Sequence, residues 1–158
     1  MIFLKIDLSA QTLGVFKNDN LVKRYFVSTG KNGAGELMDS GKTPRGLHII
    51  RAKIGARCPV NTVFVSRRPS GEIFSEKLRA AYPDRDWILT RILWLSGLEI
   101  GKNRLGKVDT MRRYIYIHGS PDDVLMGSPG SKGCIRMRNQ DIIELFDTTP
   151  IRTEILLE

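Results

Sequence analysis

The segment Trp87-Ile-Leu-Thr-Arg-Ile-Leu-Trp-Leu95 limits what this chain can fold into more than any other stretch. A run this apolar, and far short of a membrane span, reads as a central strand buried on both faces. Such a strand needs neighbours, and the rest of the chain has to supply them. Arg91 breaks the run, and a charge there sits either at an exposed edge or against a polar cleft.

Shorter segments with a period of two provide the neighbours. Met1 to Leu8 sets Ile2, Leu4, Ile6 and Leu8 against Phe3, Lys5 and Asp7. A turn at Lys17-Asn-Asp-Asn20 leads to a strand from Leu21 to Ser28, so the chain is expected to open as a β-hairpin. Leu47 to Ile50 follows the turn-forming Thr43-Pro44-Arg45-Gly46, and Tyr114 to His118 places Ile115 and Ile117 on one face. Ile151 to Leu157 forms a closing strand. Helical signals are few. Ser75 to Tyr82 makes a short helix before Pro83, and Gln140 to about Phe146 makes a second, with Asn139 as N-cap and Asp141 in its first turn. The irregular stretch from Ser66 to Asp86 is either a surface connection or a lid over a cleft. With 158 residues and neither linker nor repeat, the chain reads as one mainly β domain over residues 1–158.

Composition narrows the partners. A net charge of +8 and a pI near 9.8 favour a polyanion, whether nucleic acid, an anionic membrane surface or an acidic polymer of a cell envelope. The basic residues are scattered, as at Arg67-Arg68, Arg112-Arg113 and Lys102/Arg104/Lys107. No zinc-finger spacing, RNP signature or long basic tail accompanies them, so nucleic acid is not expected. No apolar run approaches the ~20 residues of a membrane helix. The first eight residues lack a basic region and a cleavage site, and read as a strand, not as a secretion signal. Gly41-Lys42-Thr43 is followed by Pro44, which stops the helix a phosphate-binding loop requires. Two histidines and few clustered acids argue against a zinc site. His48, alternating with Leu47 and Ile49, reads as a structural or cleft-wall residue. Cys58, in a turn-like stretch before Pro59, reads as a free thiol.

Chemistry concentrates between Tyr114 and Met137. His118 stands where a strand gives way to a loop, and Gly119 after it offers only its backbone carbonyl. Fifteen residues rich in Gly, Ser, Pro and Asp separate His118 from Cys134. A cysteine and a histidine are the minimal parts of a thiol nucleophile and its general base. Gly130 and Gly133 let the backbone approach a ligand closely. The N–H groups of Gly133 and Cys134 can then face an oxyanion beside the sulfur. Lys132, two residues before Cys134, favours the thiolate. Arg136, two residues after it, points to the same side in an extended segment and either binds a substrate carboxylate or braces the loop. Ser131 fixes that loop by hydrogen bonding.

His118-Gly119, the glycine-rich spacer and Ser131-Lys132-Gly133-Cys134-Ile135-Arg136-Met137 resemble the signature of the L,D-transpeptidase catalytic domain, the YkuD-like family. Thr43-Pro44-Arg45-Gly46 and the stretch from Leu89 to Glu99 extend the resemblance. The family's usual second histidine is Lys132 here. The resemblance implies a β-sandwich or barrel of mixed strands with one or two short helices. It implies a bacterial peptidoglycan enzyme with Cys134 as nucleophile, His118 as base and acid, and the Gly119 carbonyl orienting His118. Peptidoglycan stem peptides are then the substrate, with Arg136, Ser131, Lys132, Arg91 and Tyr116 as substrate-side residues and Arg91 as a holder of a stem carboxylate or part of a structural ion pair. The expected reaction is acyl transfer through a Cys134 thioester, releasing a terminal D-amino acid; an L,D-carboxypeptidase or a catalytically silent basic module binding an anionic polymer are the alternatives. A monomer without metal or cofactor completes the expectation; the resemblance implies the periplasm or cell envelope, and the lack of a secretion signal keeps the cytoplasm as the alternative.

Overall fold

A computed structural model of the chain describes residues 1–158. Its strands are β1 (Ile2–Asp7), β2 (Thr12–Lys17), β3 (Asn20–Phe26), β4 (Gly46–Ile54), β5 (Thr62–Val65), β6 (Arg68–Ile73), β7 (Leu89–Gly97), β8 (Tyr116–Gly119), β9 (Ile135–Met137) and β10 (Glu154–Leu157). Two α-helices, α1 (Glu76–Ala81) and α2 (Asn139–Thr148), join them. The apolar segment around Trp87–Leu95 takes the central place expected of it. β7 pairs antiparallel with β4 on one side and with β8 and the start of β5 on the other.

The sheet runs in the order β3-β2-β1-β10-β4-β7-β5-β6, and β8 branches from β7 to carry β9. The β1–β10 and β8–β9 pairs are parallel and the others antiparallel. At 41% strand and 12% helix the chain is mainly β, as expected, but the sheet does not close into a barrel. β3 and β6 end the path at opposite edges with no partner beyond them.

The first turn of the chain holds a second difference. The opening is a three-stranded meander, because Leu13 and Val15 belong to a strand of their own, β2. Gln11 makes the extra turn possible. It takes a left-handed φ of 57° and returns its Nε2 to the carbonyl of Leu8 at 2.7 Å. In the irregular stretch, Arg68–Ile73 pairs with β5 around a turn in which Ser66 and Arg67 have φ of 49° and 64°. A two-residue hairpin turn of this kind normally announces itself with Asn or Gly, and neither is present. β8 starts two residues later than the alternation suggests, since Tyr114 has φ of 55° and belongs to the preceding turn.

One core of eighteen buried residues joins Leu4, Ile6, Leu95, Ile117, Ile135 and Leu157 with Ile142, Leu145 and Phe146 of α2. Spaced for one helical face, these last three lay α2 on β7 and β8. The N-cap of α2 is Arg138; Asn139 is the first helical residue and turns its side chain inward, 3% exposed. His48 is fully buried, with Nδ1 donating to the Gly46 carbonyl at 2.9 Å and Nε2 facing Thr110 Oγ1 at 2.9 Å. It is a structural histidine.

Replacing Leu95 by Ala is expected to remove about 3 kcal/mol of stability, because the enclosing strands cannot collapse onto the cavity. The urea midpoint should fall with the slope unchanged. Burial depresses the His48 pKa to about 4 from 6.5. The unfolded chain therefore binds this proton more tightly, and stability present above pH about 6.5 is lost as pH falls towards about 4. His48→Gln should flatten part of that decline in pH-dependent urea titrations.

Candidate active site

The parallel pairing of β8 and β9 brings His118 and Cys134 onto adjacent segments. Their register pairs Ile117 with Ile135 and His118 with Arg136, so the residue before β9, Cys134, lies beside Tyr116 and Ile117. The sulfur is cradled by the start of β8. Sγ accepts from the Tyr116 N–H at 3.3 Å and donates to the Tyr114 carbonyl at 3.3 Å. His118, 1% exposed, places Nδ1 2.6 Å from the carbonyl of Gly119. A carbonyl only accepts, so Nδ1 carries the hydrogen and Nε2 of the neutral ring has its lone pair free. Nε2 is buried and makes no hydrogen bond. At rest the thiol proton is thus directed to the backbone, and Nε2 of His118 is left without a partner.

Burial sets the charge state of both groups. Desolvation lowers the His118 pKa, against the opposing effects of the Gly119 carbonyl and Asp86. Desolvation also pushes the Cys134 thiol up to about 12. The Tyr116 N–H, Arg136 and Arg113 work against that rise and Asp86 adds to it. The cations that favour the thiolate are therefore Arg136 and Arg113, not Lys132. The pair rests as neutral thiol and neutral imidazole.

Thr43 ties the cysteine loop to the rest of the fold. Its Oγ1 donates to the Gly133 carbonyl at 2.9 Å and accepts from the Gly30 N–H at 2.8 Å. Gly133 has φ of +123°, and a Cβ there would lie 3.0 Å from the Lys42 carbonyl oxygen, so the turn requires glycine. Ser131 Oγ donates to the Cys134 carbonyl and accepts from the Gly133 N–H at 3.1 Å. Ser131 is the loop brace the sequence suggests. Of the two N–H groups expected to face an oxyanion, Gly133's is thereby engaged, and Cys134's makes no hydrogen bond within the protein.

The other expected residues separate. Lys132 and Tyr116 line an open cleft of about 360 Å³ with Cys134. Arg136 braces, bonding the Gly130 carbonyl at 3.1 Å and Asp86 at 3.3 Å. Arg91 takes neither expected role. It is 7% exposed, donates to the carbonyls of Cys58 and Thr90, and lies 5.5 Å from the Phe146 ring centre; no carboxylate pairs with it, and it does not line the cleft. Cys58 is a free thiol, as expected. No three His, Cys, Asp or Glu side chains converge as metal ligands would.

Three cleft residues escaped the sequence reading. Arg113 donates to the carbonyls of Gly35 and Lys42 and lines the cleft. Asp86 faces it and holds Arg136. Arg67 donates to Tyr116 Oη at 2.9 Å and stacks on Tyr114 and Trp94, 4.5 and 5.1 Å from the ring centres. In the sequence the two arginines are only members of the scattered doublets Arg67-Arg68 and Arg112-Arg113. No local pattern marks them as neighbours of Cys134.

Known proteins resemble the chain throughout. The model of the YkuD L,D-transpeptidase catalytic domain matches residues 2–157. The YkuD protein of Bacillus licheniformis is 28% identical over 153 residues, which are 96% of this chain and 62% of that protein. Its Bacillus subtilis counterpart is 26% identical over 98% of this chain and 64% of its own length. The chain thus spans less than two thirds of these relatives. Among solved structures, an L,D-transpeptidase from Mycobacterium smegmatis superposes with a TM-score of 0.61 at 19% identity, covering 99% of this chain and 58% of that one. L,D-transpeptidase 3 from Mycobacterium tuberculosis, in complex with a faropenem-derived adduct, gives 0.61 at 14% identity, covering 99% and 60%. The likeness at this identity is one of fold, and the near-complete match to the family model decides membership: the chain belongs to the L,D-transpeptidase catalytic-domain family.

Proposed function

We propose that residues 1–158 form one catalytic domain that transfers acyl groups between peptidoglycan stem peptides through a thioester on Cys134. The observation that carries this reading is the fixed tautomer of His118. Its Nδ1–H is held by Gly119, which leaves a bare, buried Nε2 on the strand beside which Cys134 lies. Such a base is ready to accept a proton but not to hold a permanent thiolate.

In the first half-reaction His118 Nε2 takes the thiol proton as Sγ forms a bond to the donor carbonyl carbon. The carbonyl electron pair moves to oxygen, and the Cys134 N–H stabilises that oxyanion. Collapse breaks the C–N bond, and His118 delivers its proton to the leaving D-amino acid, so that a thioester remains. An acceptor amine then attacks the thioester, gives its proton to Nε2 and displaces Sγ, which recovers the proton. A stem side-chain amine gives a 3→3 crosslink, a free D-amino acid gives exchange, and water gives L,D-carboxypeptidase activity. The cationic rim of Arg113 and Lys132 suits the carboxylates of a stem peptide. This substrate sets the place of action in the cell envelope. Elsewhere on the surface, Arg51, Arg104 and Arg112 line a hollow of about 250 Å³, where Asp109, the one carboxylate in the lining, accepts from the backbone N–H groups of Leu105 and Arg112. That patch favours contact with an anionic wall polymer, as an adjunct to catalysis.

Intact-mass analysis with a disaccharide-tetrapeptide and a second D-amino acid is the direct test. The expected result is a donor adduct or an exchanged product with the wild type and neither with Cys134→Ala. Equal adduct on both proteins removes Cys134 as nucleophile, and no reaction on either removes the transferase reading. Because the thiol is pushed up to about 12, Cys134 alkylation by iodoacetamide should keep rising past pH 9 instead of reaching a plateau near neutrality. Asp86→Asn removes an anion that raises this pKa, and should speed alkylation at pH 8 by roughly 3- to 10-fold, the equivalent of half to one pKa unit.

A further inference from the structure

Behind His118 lies a buried polar network that the cysteine chemistry does not use. β7 carries a bulge between Leu89 and Ile92, opposite Gly119 and His118 of β8. Within it Thr90, fully buried, has φ of +76°. Left-handed backbone is unfavourable for a β-branched residue and costs of order 1–3 kcal/mol, so it persists only where surrounding contacts impose it. The contacts are specific. Thr90 Oγ1 donates to Asn139 Oδ1 at 2.6 Å and accepts from the Asn61 N–H at 3.0 Å. Asn139 Nδ2 in turn donates to Asn61 Oδ1 at 3.0 Å. Asn61 itself has φ of 70°.

This network presses on Gly119. A Cβ at Gly119 would stand 2.4 Å from Asn139 Oδ1, 2.7 Å from the Leu89 carbonyl oxygen and 3.1 Å from Thr90 Cβ. The Gly119 peptide is therefore walled in by the bulge on one strand and the first residue of α2. Its carbonyl is also the only hydrogen-bond partner of the His118 ring, because Nε2 has none. Rotation of that one peptide would release the ring and free its tautomer.

We propose that Thr90 and Asn139 are positioning residues that fix the His118 tautomer by locking the Gly119 peptide. The strained bulge is then part of the catalytic apparatus, although neither side chain touches substrate. An isosteric loss of the hydroxyl should act through His118, and restoring it should restore His118. The inference rests on the acyl-transfer reading for its kinetic consequence, but its structural claim concerns the ring alone.

The test uses the full chain labelled with ¹⁵N at histidine, with the Nδ1–H resonance and nitrogen shifts of His118 read by NMR beside turnover of the tetrapeptide donor. Thr90→Val should abolish or displace the Nδ1–H signal and lower kcat by roughly 10- to 100-fold, the usual cost of misplacing a catalytic group by about an ångström, with little change in KM. Thr90→Ser should restore both. Asn61→Gly, in which glycine accepts φ near +70° and the fold is kept, removes the shorter of the two acceptors of Asn139 Nδ2, leaving Asp122 Oδ1 at 3.5 Å, and should displace the same resonance. An unmoved resonance in either folded variant overturns the proposal, as does a Thr90→Ser protein that behaves like Thr90→Val. Should Thr90→Val fail to fold, Asn61→Gly and Thr90→Ser decide the question by the same resonance. A wild type with the Nδ1–H signal but no turnover would instead remove the acyl-transfer reading and leave the positioning claim to be judged by NMR.

Discussion

The site depends on the parallel pairing of β8 with β9, hung from the central strand β7. Parallel register brings the residue before β9, Cys134, beside Tyr116 at the start of β8, two residues before His118 on the same strand. β8 has only four residues and β9 only three. Pairs this short would not persist alone. They are held by Ile117 and Ile135, both fully buried in the main core, and by α2 packed across them. The same apolar contacts that fold the domain therefore set the relative placement of Cys134 and His118.

Enclosure has an electrostatic consequence. A cysteine protease-like pair with a preformed thiolate needs strong cationic support, and the effects here run the other way: desolvation dominates at both residues and favours two neutral groups. The thiol accepts from Tyr116 and donates to Tyr114, and the charges of Arg136 and Arg113 oppose the rise that burial imposes on its pKa. Much of this polar wall is committed to structure. Arg136 holds Gly130, Arg113 holds Gly35 and Lys42, and Thr43 holds Gly133. The glycine-rich segments before β4 and before β9, ninety residues apart at the Thr43–Gly133 contact, form one unit at the mouth of the cleft.

Much of this was legible in the chain itself. The central strand, the closing strand, the short helix behind Ser75 and the structural nature of His48 follow from periodicity and residue type, since each depends on local pattern and burial. The turns at Gln11 and at Ser66-Arg67 did not announce themselves, because residues other than glycine occupy left-handed positions there. Asn139 has the right chemistry for a cap, yet the buried hydroxyl of Thr90 attracts its side chain inward and the cap position moves to Arg138. Arg91 invites an ion pair by its charge, and instead satisfies backbone carbonyls left free around the bulge.

What the sequence determined by itself is the inventory and its local setting: one cysteine and one histidine flanked by glycines, on a chain of alternating strands built around one apolar segment. Those features need only nearest neighbours along the backbone. Tertiary structure alone decided which groups face which. It set the open edges of the sheet, the His118 tautomer, the neutral thiol, the arrival of Arg67, Asp86 and Arg113 at the cleft and the bulge that encloses Gly119. Each of these depends on desolvation and on contacts between residues distant in the chain, quantities that no local pattern encodes.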